Sequence, residues 1–214
     1  MVVNEQMLQQ QLSAGLAQMQ ITASDEQQHK LMEYLALLRK WNSTYNLTAV
    51  RDVSEMVWRH LLDSISVHPY LQGEHLIDVG TGAGLPGIPL AIMNPQRQFT
   101  LLDSNGKRTR FLTQVKLTLG LDNVVVVNTR VESWQPPVPF DVILSRAFAS
   151  LQDMVDVTGH LLADHGVFMA MKGLYPQDEI DALPATIRIQ ASYPLLVPDC
   201  DGERHLLVMQ QATV

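Results

Sequence analysis

The sequence predicts an α/β fold: a mostly parallel, seven-stranded open sheet that ends in an antiparallel hairpin, preceded by a helical layer. Three observations predict it. An apolar strand ending at Val79 runs directly into three alternating glycines, Gly80, Gly82 and Gly84, and then into a helix. From Glu74 onward short β-rich runs alternate with helical segments, as βαβ units do. Before Glu74 the periodicity is helical only. Residues 1–70 are therefore expected to form a helical extension packed on residues 71–214, the two making one compact unit.

The elements follow in order. Met7, Leu8, Leu12, Leu16 and Met19 recur at helical spacing over residues 4–20. Ser24 and Gln27 form a capping-box pattern ahead of a stripe of Leu31, Tyr34, Leu35, Leu38 and Trp41, and this helix is expected to stop near Asn42. The polar segment from Trp41 to Thr48 reads as a loop held by Trp41 and Tyr45. Ser54 can cap a third helix from Glu55 to His68, ended by Pro69, on which His60 and Asp63 are spaced as a surface pair. Strands are expected at His75–Val79, Gln98–Asp103, Asn123–Asn128 (buried, from its four valines), Phe140–Ser145 and Gly166–Lys172. Helices are expected from Pro86 to Met93, Gly106 to Gly120, Leu151 to Leu162 and Gln177 to Leu183. Two last strands, Thr186–Val197 and Arg204–Gln210, are joined by a turn at Pro198–Gly202.

The glycine loop is the first candidate site. Glycine there permits positive φ and lets a ligand approach the backbone N–H groups, so a nucleotide-like ligand is expected. Gly82 to Gly87 also satisfies the dinucleotide fingerprint, and Asp103, about twenty residues on, can bond ribose hydroxyls in either a dinucleotide or another nucleoside ligand. Asp78 favours a cationic ligand, since a carboxylate at the strand end repels a pyrophosphate. Arg146, at the end of the fourth strand, faces the same region, and Val131 and Glu132 follow the third strand where a base would lie.

Composition narrows the class. With 46% hydrophobic and 17% charged residues, the 214-residue chain can bury a core. No run approaches the length of a membrane helix, the first residues lack a secretory pattern, and a cytoplasmic location is expected. A single cysteine, Cys200, excludes an internal disulfide, and the histidines show no metal-ligand spacing, so no metal is expected. The net charge of −7 argues against indiscriminate nucleic-acid binding. Its distribution matters more: from Ser150 onward there are 3 basic and 9 acidic residues, whereas Lys107, Arg108, Arg110 and Lys116 form an acid-free stretch that could meet RNA phosphates.

Several ordered blocks resemble one family. They are Trp41-Asn42 with Tyr45-Asn46-Leu47-Thr48; Arg59 to Ser64; Asp78 to Pro89; Leu102-Asp103-Ser104 with Lys107-Arg108; Arg130-Val131-Glu132; Ser145-Arg146-Ala147; and Lys172-Gly173. The chain resembles the bacterial small-subunit ribosomal RNA methyltransferases once called glucose-inhibited division protein B. The resemblance implies a Rossmann-like class I fold, S-adenosylmethionine as cofactor, and methyl transfer to N7 of guanosine 527 in 16S ribosomal RNA. It also implies that Gly80, Leu85, Val131, Glu132 and Arg146 line the cofactor site; charge placement, separately, puts Lys107, Arg108 and Arg110 on the RNA or small-subunit partner. The block that holds His60 and Asp63 recurs in the family, which sets a functional reading of the two beside the surface-pair one. Where many relatives have Arg-Ala-Glu, this chain has Arg130-Val131-Glu132. The place where amine methyltransferases carry a Pro-Pro motif reads Ser145-Arg146-Ala147-Phe148, which suits N7, an acceptor with a lone pair and no proton to lose. A nicotinamide-dependent oxidoreductase, a small-molecule methyltransferase and a non-catalytic RNA-binding module are the alternatives.

Overall fold

The computed structural model describes residues 4–212. The outermost residues of the two expected segments lie outside that range. Helix α1 (Glu5–Gln18) starts at Asn4, whose side chain accepts from the Gln6 and Met7 N–H groups. Helix α2 (Asp25–Tyr45) opens on the expected capping box, with Ser24 and Gln27 bonded reciprocally. It runs beyond Asn42, contrary to expectation, and ends only where Asn46 turns left-handed at φ 51°. Tertiary packing overrides the local polarity: the Trp41 ring packs at a tilt, 5.2 Å from Tyr45 and 5.6 Å from Phe111, which extends helical packing past the polar residues. The following loop is fastened by Asn42, which accepts from Thr48 N–H and donates to the Val50 carbonyl.

The third helical segment differs from its expected form. Helix α3 (Val53–Met56) is capped by Asp52, which accepts from the Ser54 N–H at 2.8 Å. It widens into a π-helical turn (Val57–Leu62) before α4 (Asp63–Ile65), and Pro69 falls inside a separate 3₁₀ turn, His68–Tyr70.

The sheet has the order β3-β2-β1-β4-β5-β7-β6. Strands β1 (His75–Val79), β2 (Gln98–Asp103) and β4 (Phe140–Ser145) have the expected bounds. Strand β3 (Val124–Asn128) pairs only with β2 and is an edge strand. The expected burial fails there: Val124 is buried but Val125 is 49% exposed, because a run of valines does not say how many neighbours its strand has. β5 (Leu162–Lys172) starts earlier than expected, and β7 (His205–Gln211) runs antiparallel between β5 and β6 (Ile187–Pro194).

Alternation along β1 explains the layers. Leu76 joins a core shared with α1, α2, α5 (Gly87–Met93) and α6 (Gly106–Leu119), while Ile77 and Val79 join the opposite core under α7 (Leu151–Thr158). The remaining helix, α8 (Gln177–Asp181), follows β5. Tyr34 of α2, fully buried, donates to the Ala83 carbonyl at 2.8 Å, so the helical layer touches the glycine loop directly. Among the described residues no helix is long and apolar enough to cross a membrane.

Candidate functional site

The strand order reverses between β1 and β4, and the crevice at their carboxyl ends is where an open α/β sheet binds ligands. Two compartments lie there. One, of about 380 Å³, is lined by Gly80, Asp103, Arg108, Val131, Glu132 and Phe148 among others. The other, of about 560 Å³, includes Thr48, His60, Asp63, Leu85, Arg146 and Arg204. Gly80 and Ala147 line both.

Gly80 stands at that junction with φ +70°, and a Cβ on it would lie 2.8 Å from the Ala147 Cβ. Only glycine permits that close approach in the wall the two compartments share. Gly82 and Gly84 also have positive φ, as the loop pattern requires, but neither lines a compartment. The Gly82 N–H instead donates to Asp103 Oδ2 at 3.0 Å.

Asp78 supports the loop from behind. Its carboxylate is 1% exposed, accepts from Thr81 Oγ1 at 2.7 Å and from the Gly87 N–H at 2.8 Å, and lines neither compartment. Burial raises its pKa to about 6, against the lowering by those two donors, and its Oδ1 has no hydrogen-bond partner. Its direct work is to hold the turn between β1 and α5.

Asp103 ties the second loop. Oδ1 accepts from the Asn105 N–H at 2.8 Å, and Oδ2 also receives Arg108 Nη1 at 3.2 Å. Arg108 is thus drawn toward the smaller compartment rather than left wholly free on the helix face. Lys107 and Arg110 remain exposed on α6 and line neither compartment.

The larger compartment holds Arg204, which sequence reasoning missed, and excludes one of the two readings of His60 and Asp63. His60 and Asp63 are not a surface pair: both are buried, and they serve different partners. His60 Nε2 lies 2.9 Å from Thr48 Oγ1, and desolvation lowers its pKa to about 4, so the ring is neutral near pH 7. Asp63 accepts from Arg146 Nη1 at 2.6 Å on one oxygen and from Arg204 Nε at 3.0 Å on the other. Arg204 had one visible signal: only Lys172, Arg188 and Arg204 interrupt the acidic run after Ser150, and two of the three line this compartment. Ser145 fixes the same corner, donating to the Val79 carbonyl and accepting from the Ala147 N–H. No cluster of potential metal ligands occurs among the described residues.

This strand order, with a glycine turn after β1, an acid closing β2 and a ligand crevice at the switch point, defines a Rossmann-like methyltransferase fold. Solved structures carry the same architecture: ribosomal protein L11 methylase from Lactobacillus delbrueckii subsp. bulgaricus has a TM-score of 0.55 at 15% identity over 71% of this chain and 77% of that one. TrmN from Thermus thermophilus has a TM-score of 0.54 at 16% identity, over 81% and 53%. The model of the family described as rRNA small subunit methyltransferase G matches residues 27–207, and the chain belongs to that family. Ribosomal RNA small subunit methyltransferase G of Marinobacter nauticus is 57% identical over 94% of each chain, and that of Ectopseudomonas mendocina is 56% identical over 95% and 96%.

Proposed function

We propose that the protein transfers a methyl group from S-adenosylmethionine to N7 of guanosine 527 in cytoplasmic 16S ribosomal RNA. The observation that carries this reading is the pair of adjoining compartments that share Gly80 and Ala147 in their walls, which gives a nucleoside half and an acceptor half meeting where transfer would occur. The residues fit the cofactor. Asp103 is an acceptor for ribose hydroxyls, Val131 and Glu132 border the base, and glycine at position 80 lets the chain pass close to Ala147 where the halves adjoin. Leu85 and Arg146 lie in the adjoining half, where the guanidinium suits the methionine carboxylate. Asp78, Gly82 and Gly84 contribute through the shape of the loop.

When bound, the cofactor supplies an electrophilic methyl group on a sulfonium. The chain's own task is alignment. N7 presents an in-plane lone pair and loses no proton, so no side chain must act as base. Asp63 is held between two arginines and orients Arg146, and the neutral His60 leaves the lone pair without a competing acid. Enclosure and orientation of this kind supply up to about 7 to 11 kcal/mol. Lys107 and Arg110, with the part of Arg108 not engaged by Asp103, would meet RNA phosphates beside the cofactor half.

Transfer of label from methyl-labelled S-adenosylmethionine to ribosomal RNA of a strain lacking this protein, with nucleoside analysis, tests the proposal. The expected product is 7-methylguanosine at one position. Cofactor binding with no incorporation into free RNA or small subunits would overturn it.

A further inference from the structure

The larger compartment is lined by four cations, Arg59, Arg146, Lys172 and Arg204, and by one acid, Asp63, in a chain whose net charge is −7. Lys172 is matched by Glu179 at 2.8 Å and Arg59 by Glu55 at 3.2 Å. Asp63 alone faces two guanidinium groups, so one positive charge is left over at the floor of the compartment. If Arg146 serves the cofactor carboxylate, Asp63 is left to match Arg204, through one contact at 3.0 Å. The Arg204 Nε is on Asp63 and its Nη1 on the Glu203 carbonyl, while its Nη2 makes no hydrogen bond among the described residues.

The rim next to it carries one acid, Glu203, held 3.0 Å from His205, and a group of exposed apolar side chains. Lys172, His205 and Pro194 stand in one row across β5, β7 and β6. Just beyond that row the chain exposes Leu174, Tyr175 and Leu196, and the Tyr175 ring is held edge-on at 5.4 Å from His205. A guanidinium with an open Nη2, next in sequence to the His205 that holds an exposed aromatic ring, offers the pairing by which proteins take single-stranded nucleic acid, the charge on a phosphate and the ring under a base.

We propose that Arg204 and Tyr175 form an RNA subsite on the C-terminal side of the cleft, Arg204 taking a phosphate of the strand that carries the target guanosine and Tyr175 stacking on a neighbouring base. The subsite rests on the reading that RNA is the acceptor. It places strand recognition across the cleft from the basic helix α6, so the target nucleotide is held from two sides.

The test compares wild type with Arg204→Gln and Tyr175→Ala. Small subunits purified from a strain lacking this protein are titrated over a range of salt, and S-adenosylhomocysteine is titrated separately by calorimetry. Tyr175→Ala is expected to weaken subunit binding about tenfold with an unchanged salt slope. Arg204→Gln is expected to flatten the slope of log affinity against log salt by about 0.7. Tyr175→Ala should keep the cofactor product's affinity within about twofold. Subunit binding by Tyr175→Ala equal to wild type overturns the proposal, and this variant decides the matter if Arg204→Gln does not fold. So does an Arg204→Gln defect confined to the cofactor product, which would assign that arginine to the carboxylate. Wild type that neither binds nor methylates subunits refutes the RNA reading itself, whereas active wild type matched by both variants refutes the subsite alone.

Discussion

Asp63 Oδ2 lies 2.6 Å from Arg146 Nη1 across 83 residues of sequence, joining the π-widened helical segment to the carboxyl end of β4. Asp63→Asn keeps the side chain's shape and removes its charge, leaving two half-buried guanidinium groups without their counter-ion. Unfolding in denaturant should show a loss of about 2 to 3 kcal/mol, below the fully buried case because both arginines are more than a quarter exposed. Binding of S-adenosylhomocysteine should weaken about tenfold as Arg146 loses its fixed orientation. Unchanged affinity would show that Arg146 does not serve the cofactor.

Gly80→Ala forces a Cβ into a residue at φ +70° and within 2.8 Å of Ala147. The strain costs about 1 to 3 kcal/mol, and cofactor binding should fall with it. Gly159→Ala is the control, since its Cβ would meet nothing within 4 Å, its φ is not positive and it lines neither compartment. Thermal unfolding and calorimetry should separate the two, with Gly159→Ala near wild type in both.

Asp103→Asn has one acceptor oxygen where the carboxylate uses two, one for Asn105 and one for Gly82 and Arg108. With the proposed ribose contact also weakened, affinity for S-adenosylhomocysteine should fall about 10- to 100-fold. A fall below twofold by calorimetry would remove Asp103 from the ligand site.

Acid should act on two buried groups in opposite directions. Asp78 titrates near 6 instead of 3.8, so the folded state holds its proton more firmly and stability rises as pH falls from about 6 to 4. His60 titrates near 4 instead of 6.5, so its contribution is complete above pH 6.5 and is lost as pH falls toward 4. Each slope is about 1.4 kcal/mol per pH unit, and in wild type they largely cancel. Denaturant melts at pH 7 and pH 4.5 should show His60→Gln gaining stability in acid relative to wild type, and Asp78→Asn losing it. Parallel pH profiles for the three proteins would contradict both assignments.

The sheet was legible because its strands are short apolar runs bounded by turn-formers; the β1, β2 and β4 boundaries follow from local pattern alone. The glycine loop was legible for the same reason. What escaped was non-local. Nothing near Asp63 announces Arg146 or Arg204, 83 and 141 residues away, and spacing by itself suggested a surface pair with His60. Asp78 was read toward the ligand because sequence places it at the strand end, but strand alternation turns it toward α5 and the Gly87 N–H. The helix past Asn42 depends on Trp41 meeting Phe111 of α6, a contact that helix propensity does not contain.

The hydrogen bond from Tyr34 to the Ala83 carbonyl bears on biosynthesis. The stripe Leu31, Tyr34, Leu35 and Leu38 is at most 1% exposed, yet it is covered by α5 and α6, which are translated later. The roughly 80 residues between Leu38 and Leu119 take about 4 to 16 s at about 5 to 20 residues per second. Throughout that interval only α1, made earlier and packed in the same core, can shield the stripe, so the nascent chain carries a partly uncovered oily helix.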